Sequence, residues 1–284
     1  MNEPNEPNEP NEPNEPNEPN ELNELSESSV LNELSAPNET NEPTALAERR
    51  IREPEGLVNF RDLGGLRAGA TTVRPGVLCR SAGLASLTGA GIAALRDGVA
   101  LVADLRSEHE AQAAPATAHP VTVRLPLLDG DALAMARVPT LDEVYTNLLD
   151  TAGRTFVRVA RLVAETDGAV LVHCTAGKDR TGLAVALLLD AVGADRDAVV
   201  ADYALSEDRL AGAWSDRMTA SVRAMGVEVT PGIEALITRS PAPVMARTLA
   251  LLDSGHGGAV PYLTAHGLDE DTLDRLRERL LNHA

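Results

Sequence analysis

The stretch AVLVHCTAGKDRTGLAVALLLDAVG, residues 169–193, constrains the fold more than any other part of this chain. It opens on one apolar run and closes on another, with a short polar, Gly-containing link between them. An apolar run without polar alternation reads as a strand buried on both faces, the habit of a parallel sheet with helices on each side. The second run, rich in Ala and Leu, predicts a helix over 180–193. The unit is strand, loop, helix, and Thr175 to Asp179 must turn inside it.

From residue 50 onward the same alternation recurs. VLCRSA (77–82), VALVADLR (99–106) and VTVRLPL (121–127) read as further strands. Helical periodicity marks 86–98, 140–150, 153–166, 195–204, 207–225, 242–253 and 269–282. Strands alternating with helices predict an α/β fold: a mostly parallel central sheet flanked by helices. The all-helical stretch after 180 is expected to complete one face and then fold over the site as a helical C-terminal cap. Hydrophobic residues make up 43% of the chain, yet only six are Phe, Tyr or Trp. The core must therefore be built from Ala, Val and Leu.

Residues 1–45 are of another kind. Asn-Glu-Pro repeats without interruption through residue 19 and then decays. Pro, mutually repelling Glu and almost nothing apolar cannot bury enough surface to offset ordering entropy, so a disordered acidic tail is expected, ahead of one domain over 46–284. The tail holds twelve Glu and no Lys or Arg, which accounts for most of the net charge of −18. No basic stripe is left to neutralise phosphates, so no nucleic-acid partner is expected. Two cysteines, Cys79 and Cys174, cannot build a disulfide framework. No apolar run is long enough to span a bilayer, and the N-terminus lacks the pattern of a secretory signal. A reducing, cytoplasmic setting is the expectation.

The link itself carries the chemistry. A strand delivers Cys174 to the sheet edge, and Arg180 and Thr181 open the helix. A loop at a helix N-terminus converges backbone N–H groups on one point, and the helix dipole adds partial positive charge there. Arg180 supplies a planar, two-pronged donor for a tetrahedral oxyanion. The result is an anion cradle, Thr175, Ala176, Gly177, Lys178, Asp179 and Thr181, with a thiol at its base. Such a field stabilises a thiolate, and a thiolate beneath a bound phosphate is a nucleophile aimed at phosphorus. A zinc site is disfavoured, since no CxxC or second Cys/His pair accompanies His173 and Cys174. No metal or other cofactor is expected.

The pattern His-Cys-x5-Arg-Thr resembles the signature of the cysteine-dependent protein-tyrosine phosphatases. HCTAGKDRTG is similar to the loop of their bacterial tyrosine/serine phosphatase branch, as are NFRDLGG (59–65), RSA (80–82), VADLR (102–106), VADYALSED (200–208) and the C-terminal PYLTAHGLDEDTLDRLRERLL. The resemblance implies a phosphomonoesterase working through a phosphocysteine, acting on phosphotyrosine, on phosphoserine/threonine or on a phosphoinositide. A phosphate-recognition module that binds without turnover is the competing reading.

Cleavage needs an acid for the leaving oxygen and a base for the hydrolytic water. Asp104 is the first choice: it ends a buried strand, beside the Cys174 loop in a parallel sheet, and the resemblance places the acid there. Asp179 and the pair Asp129 and Asp131 are the alternatives; Asp179 is expected to bond Lys178, Arg61 or loop amides. Thr181 is expected to hydrogen-bond the thiolate, a role the resemblance also implies, and His173 to order the loop. Arg106, Arg80 and Arg61 either support the loop or Asp104 or form plain salt bridges. Tyr145 and Tyr203 read as core residues of helix faces. Cys79 reads as a small buried hydrophobe, with a disulfide to Cys174 as the lesser reading. Lys178, the single Lys in the chain, is expected at the cradle rim, free to attract a second phosphate.

Overall fold

The computed structural model describes residues 50–115, 118–119, 121–127 and 139–282. The repeat tail, Asp129 and Asp131 lie outside the described residues. The main sheet has five strands in the order β1–β4–β7–β5–β6, where β1 is Arg61–Asp62, β4 Leu78–Ser81, β5 Leu101–Asp104, β6 Thr122–Arg124 and β7 Val170–His173. The last four run parallel, and only β1 is antiparallel to its neighbour. Two short strands, β2 (Arg67–Ala68) and β3 (Thr71–Thr72), make a separate hairpin.

The sheet alternates between two cores. Leu78, Val170, Val172, Leu101 and Ala103 face the larger one, with Cys79, Leu171 and Val102 on the opposite side with Phe60 and Leu95. Both faces are covered, as the unbroken apolar runs require. The smaller core is closed by α1 (Gly89–Gly98), whose N-cap Thr88 accepts a hydrogen bond from Gly91 N. The larger core is closed by α3 (Leu141–Thr151), α4 (Gly153–Glu165) and α5 (Asp179–Ala191). Nearly every residue of α5 from Thr181 to Ala191 is buried, which explains its lack of a polar stripe. The few aromatic rings, Phe156, Tyr145, Tyr203 and Tyr262, sit in this core among Leu, Val and Ala.

The central strand β7 has β4 on one side and β5 on the other, so Cys174 leaves the sheet where strand order switches, the place where α/β sheets bind ligands. In the register, His173 lies level with Ser81 and with Asp104. Cys79 pairs with Leu171, three residues before Cys174. At ~3.3 Å per residue and ~4.8 Å between strands, their Cα atoms are roughly 11 Å apart. A disulfide requires less than about 7 Å. The two thiols are free, and the disulfide reading does not hold.

Beyond α5 the helices depart from expectation in two places. The expected pair 195–204 and 207–225 is divided later, into α6 (Arg196–Leu210) and α7 (Ala213–Ala224). The break falls at Gly212, whose φ of 77° and ψ of −132° only glycine adopts at little cost. A helix that was not foreseen, α8 (Pro231–Thr238), starts at the N-cap Thr230 with Pro at its first position. The expected C-terminal helices are present as α9 (Ala242–His256), α10 (Ala259–Ala265) and α11 (Glu270–Leu280), and they pack on α4, α5 and α6. The end of α8 reaches the Cys174 loop through Lys178. Among the described residues no helix is long and apolar enough to cross a membrane.

One buried ion cluster ties α6 to the sheet behind the loop. Asp202 accepts from Arg61 Nε at 2.6 Å and from Arg80 Nη1 at 2.6 Å, and Arg61 Nη2 also donates to Ser206. Burial alone would raise the Asp202 carboxyl, but Arg80 and Arg61 hold it below the ordinary value. Removing one partner of such a cluster strands buried charge. Asp202→Ala should therefore cost about 3–5 kcal/mol of unfolding free energy in urea denaturation. Breaking the exposed Arg247–Asp142 pair with Arg247→Ala should barely move the midpoint.

Candidate active site

The Cys174 loop is shaped from behind. His173 O accepts from Leu105 N, Thr175 O from Gly83 N, and Ala176 O from Asn59 Nδ2. Gly177 O accepts from Arg80 Nη2 at 2.8 Å and from Asn59 Nδ2 at 3.2 Å. Cys174 O faces His173 Nδ1 at 3.2 Å. With these carbonyls held outward, the amides turn inward. Gly177 N donates to Cys174 Sγ at 3.2 Å. The amides of Thr175, Ala176, Lys178 and Asp179 have no acceptor among the described residues. Four backbone donors without an acceptor thus sit on a loop at a helix N-terminus beside the sulfur, the make-up of an anion site.

Two residues make this shape possible. Gly177 has φ of 66°, and a Cβ there would lie 2.0 Å from Ser81 O, so no side chain fits. Asn59 also lies in the left-handed region, at φ of 58°, which Asn tolerates better than most residues. Its Oδ1 accepts from Arg61 Nη1 at 2.6 Å, which aims its Nδ2 at the loop carbonyls. Arg61 and Arg80 therefore support the loop rather than forming plain salt bridges. Asn59 was visible only as part of NFRDLGG.

Arg180 is oriented by a residue that the sequence reading passed over. Glu110 Oε2 accepts from Arg180 Nη1 at 2.5 Å, and Oε1 accepts from Nη2 at 2.7 Å and from Thr175 Oγ1. Glu110 lies on α2 (Glu108–Ala113), where it also closes a capping box with Ser107. The signal was present as S-x-x-E directly after VADLR. Although burial works against its charge, the Arg180 bonds and Thr175 pull the Glu110 carboxyl down to about 2. The same pairing raises Arg180. Two of the five guanidinium donors are committed to Glu110, so the plane is fixed while others remain for an oxyanion.

Asp104 does not occupy the place expected of an acid. It is fully buried. Arg106 Nε and backbone N bond its Oδ1 at 2.9 and 3.0 Å, and Nη2 bonds Oδ2 at 2.7 Å. Burial would raise its carboxyl, but the Arg106 bonds and His173 hold it below the ordinary range. Both oxygens of this buried carboxylate are engaged by Arg106. Arg106 in turn donates to Ala114 O at 2.7 Å, at the end of α2. Asp104 thus acts through Arg106 on the helix that carries Glu110. His173 is buried beside it, and that burial pulls its value down while the Asp104 charge works against the shift; its Nε2 is 3.6 Å from Asp104 Oδ1, beyond hydrogen-bonding distance.

Lys178 is likewise misplaced by the sequence reading. Instead of standing at the rim it is fully buried, with Nζ donating to Leu236 O at 2.8 Å and Arg239 O at 2.6 Å. Those are carbonyls at the end of α8, which lack helical partners and take a cation well. The ammonium is also 3.3 Å from Asp179 Oδ1, so it has no donor to spare for a second phosphate. Asp179 remains partly exposed and accepts from Tyr145 OH at 2.9 Å. Arg61, the other expected partner of Asp179, is engaged with Asp202. Thr181 is buried, and its Oγ1 has no hydrogen-bond partner. Among the described residues no three His, Cys, Asp or Glu side chains come together as a metal site.

The Glu110 pair carries a pH signature. Its folded value near 2 lies below the ordinary 4.5, so its contribution to stability is full above pH 4.5 and fades as pH falls toward 2. The difference in thermal midpoint between wild type and Glu110→Gln should be constant at neutral pH and shrink across that window. Misplacing Arg180 should also cost about 10²-fold in turnover, read by steady-state kinetics at pH 7.

A thiol under inward amides with a fixed guanidinium is built to hold and attack a phosphoryl group. The family described as the tyrosine phosphatase family matches residues 53–282. The chain is 33% identical over 276 residues to the triple specificity protein phosphatase PtpB of Mycobacterium tuberculosis, across 81% of this chain and 99% of that protein. It is 34% identical over 227 residues to a tyrosine-protein phosphatase of Nostoc commune, across 74% of this chain and 76% of that one. Site geometry and sequence agree: this chain belongs to the tyrosine phosphatase family.

Proposed function

We propose that this tyrosine phosphatase hydrolyses phosphotyrosine, with phosphoserine/threonine or phosphoinositide monoesters as further substrates, and that Asp179 is its general acid. The observation that carries the reading is the loop around Cys174, with its carbonyls held outward, its amides free, and Arg180 fixed by Glu110. The similarity to a triple specificity phosphatase supports the broader substrate range.

In the first step Cys174 Sγ attacks phosphorus. The S–P bond forms as the P–O bond to the leaving group breaks, and the leaving oxygen takes a proton from Asp179. The loop amides and Arg180 hold the equatorial oxygens as charge builds on them. In the second step water attacks the phosphocysteine, Asp179 takes a proton from it, and the S–P electron pair returns to sulfur. The buried Thr181 hydroxyl is the donor expected to stabilise that departing thiolate. Asp179 is favoured over Asp104 because it is the partly exposed carboxylate on the cradle itself, whereas Asp104 is sealed by Arg106.

Purified protein should hydrolyse p-nitrophenyl phosphate in the presence of EDTA, and Cys174→Ser should abolish the activity. An inert wild type would leave the phosphate-recognition reading standing. Asp179→Asn should lose about 10²- to 10⁴-fold on phenyl phosphate or a phosphoserine peptide and much less on p-nitrophenyl phosphate. Asp104→Asn should lower the thermal midpoint and affect both substrates equally. Leaving-group dependence in Asp104→Asn would restore Asp104 to the acid role.

A further inference from the structure

Tyr145 and Tyr203 form a chain of hydroxyls that ends on Asp179. Both rings are buried, packed edge to face with centroids 6.0 Å apart. Their hydroxyls lie 2.7 Å from each other, and Tyr145 OH lies 2.9 Å from Asp179 Oδ1. A phenol has one hydrogen to give, and an ionised carboxylate only accepts. Tyr145 therefore donates to Asp179 and accepts from Tyr203. Burial, followed by the nearby Asp179 charge, raises both phenols far above neutrality, so each keeps its proton. Lys178 Nζ approaches the same oxygen at 3.3 Å. Asp179 Oδ2, by contrast, has no hydrogen-bond partner among the described residues. The grip is one-sided.

We infer that Tyr145, backed by Tyr203, is a positioning residue for proton transfer: it fixes Asp179 by Oδ1 and leaves Oδ2 as the oxygen that carries the proton. This rests on the reading of Asp179 as the general acid. Oδ2 gives its proton to the leaving oxygen as the P–O electron pair arrives there, and it takes one back from water in the second step. Neither phenol loses a proton or touches the substrate. Their task is to hold the carboxyl plane by a directional hydrogen bond, where Lys178 supplies a charge beside the same oxygen. The sequence cannot show this, since the two residues sit on α3 and α6, and only the packing of those helices against α5 brings their hydroxyls together.

The test is a leaving-group series, p-nitrophenyl through phenyl phosphate to a phosphoserine peptide, with kcat followed in wild type, Tyr145→Phe, Asp179→Asn and the double variant. Tyr145→Phe keeps the buried ring and should lose roughly 10-fold more on the poorest leaving group than on p-nitrophenyl phosphate, the effect of one lost orienting hydrogen bond of about 1.4 kcal/mol. In the Asp179→Asn background the same change should add no further leaving-group dependence. Equal losses across the series, or full additivity in the double variant, would overturn the positioning role. An Asp179→Asn series with no leaving-group dependence would overturn the acid assignment instead, and the two failures are distinguishable. Tyr203→Phe retains the Tyr145–Asp179 bond and should give the same pattern at smaller size. If Tyr145→Phe does not fold, Tyr203→Phe decides the matter by the same criterion.

Discussion

The outward hold on the carbonyls of residues 173–177 is the constraint on which the site depends. A backbone turn has no intrinsic reason to present its donors together, because each peptide unit can face either way. Here Leu105, Gly83, Asn59 and Arg80 take the carbonyls from behind, and the amides have nowhere to face but inward. Arg80 does this as a buried cation, and its charge is offset by Asp202, which Arg61 shares. The arrangement therefore reaches from the sheet edge through the loop to α6. It is costly to assemble and stiff once made, which suits a site that must not reorganise as charge moves.

A second theme is that carboxylates near the cradle are each given a partner that defines one task. Asp104 is closed off by Arg106 and works as an anchor. Glu110 is spent on Arg180 and Thr175 and works as an aligner. Asp202 balances two guanidinium groups. Of these four described carboxylates, Asp179 combines partial exposure with a grip on a single oxygen. Acidic groups so close to a phosphate site would repel substrate unless their charges were matched. Lys178 contributes to that matching while it ties the end of α8 to the loop.

The pairing of residue type and neighbourhood explains why some assignments were readable in advance and others were not. Cys174 and Arg180 sit on one contiguous strand–loop–helix unit, so local geometry was sufficient to join them. Asp104 was correctly placed at the end of β5, level with His173, but whether a carboxylate there faces the cavity or an arginine depends on Arg106 folding back over it. Glu110 was marked only by a capping box, which speaks of helix starts and says nothing about a guanidinium 70 residues away in the chain. Tyr145 and Tyr203 were rightly read as core residues of helix faces, since ring burial follows from periodicity, while the aim of a hydroxyl does not.

The amino-acid sequence alone determined the parallel sheet, the helices that cover it, and a cysteine with an arginine at the mouth of one helix. Those features follow from hydrophobic period and from the short reach of a loop, both of which are local. The tertiary structure decided that Arg106 closes over Asp104, where Lys178 points, and what aligns Arg180. These depend on charges and hydrogen bonds between segments far apart in the chain. A carboxylate looks the same in sequence whether an arginine folds over it or leaves it open, and only the packed fold makes that choice.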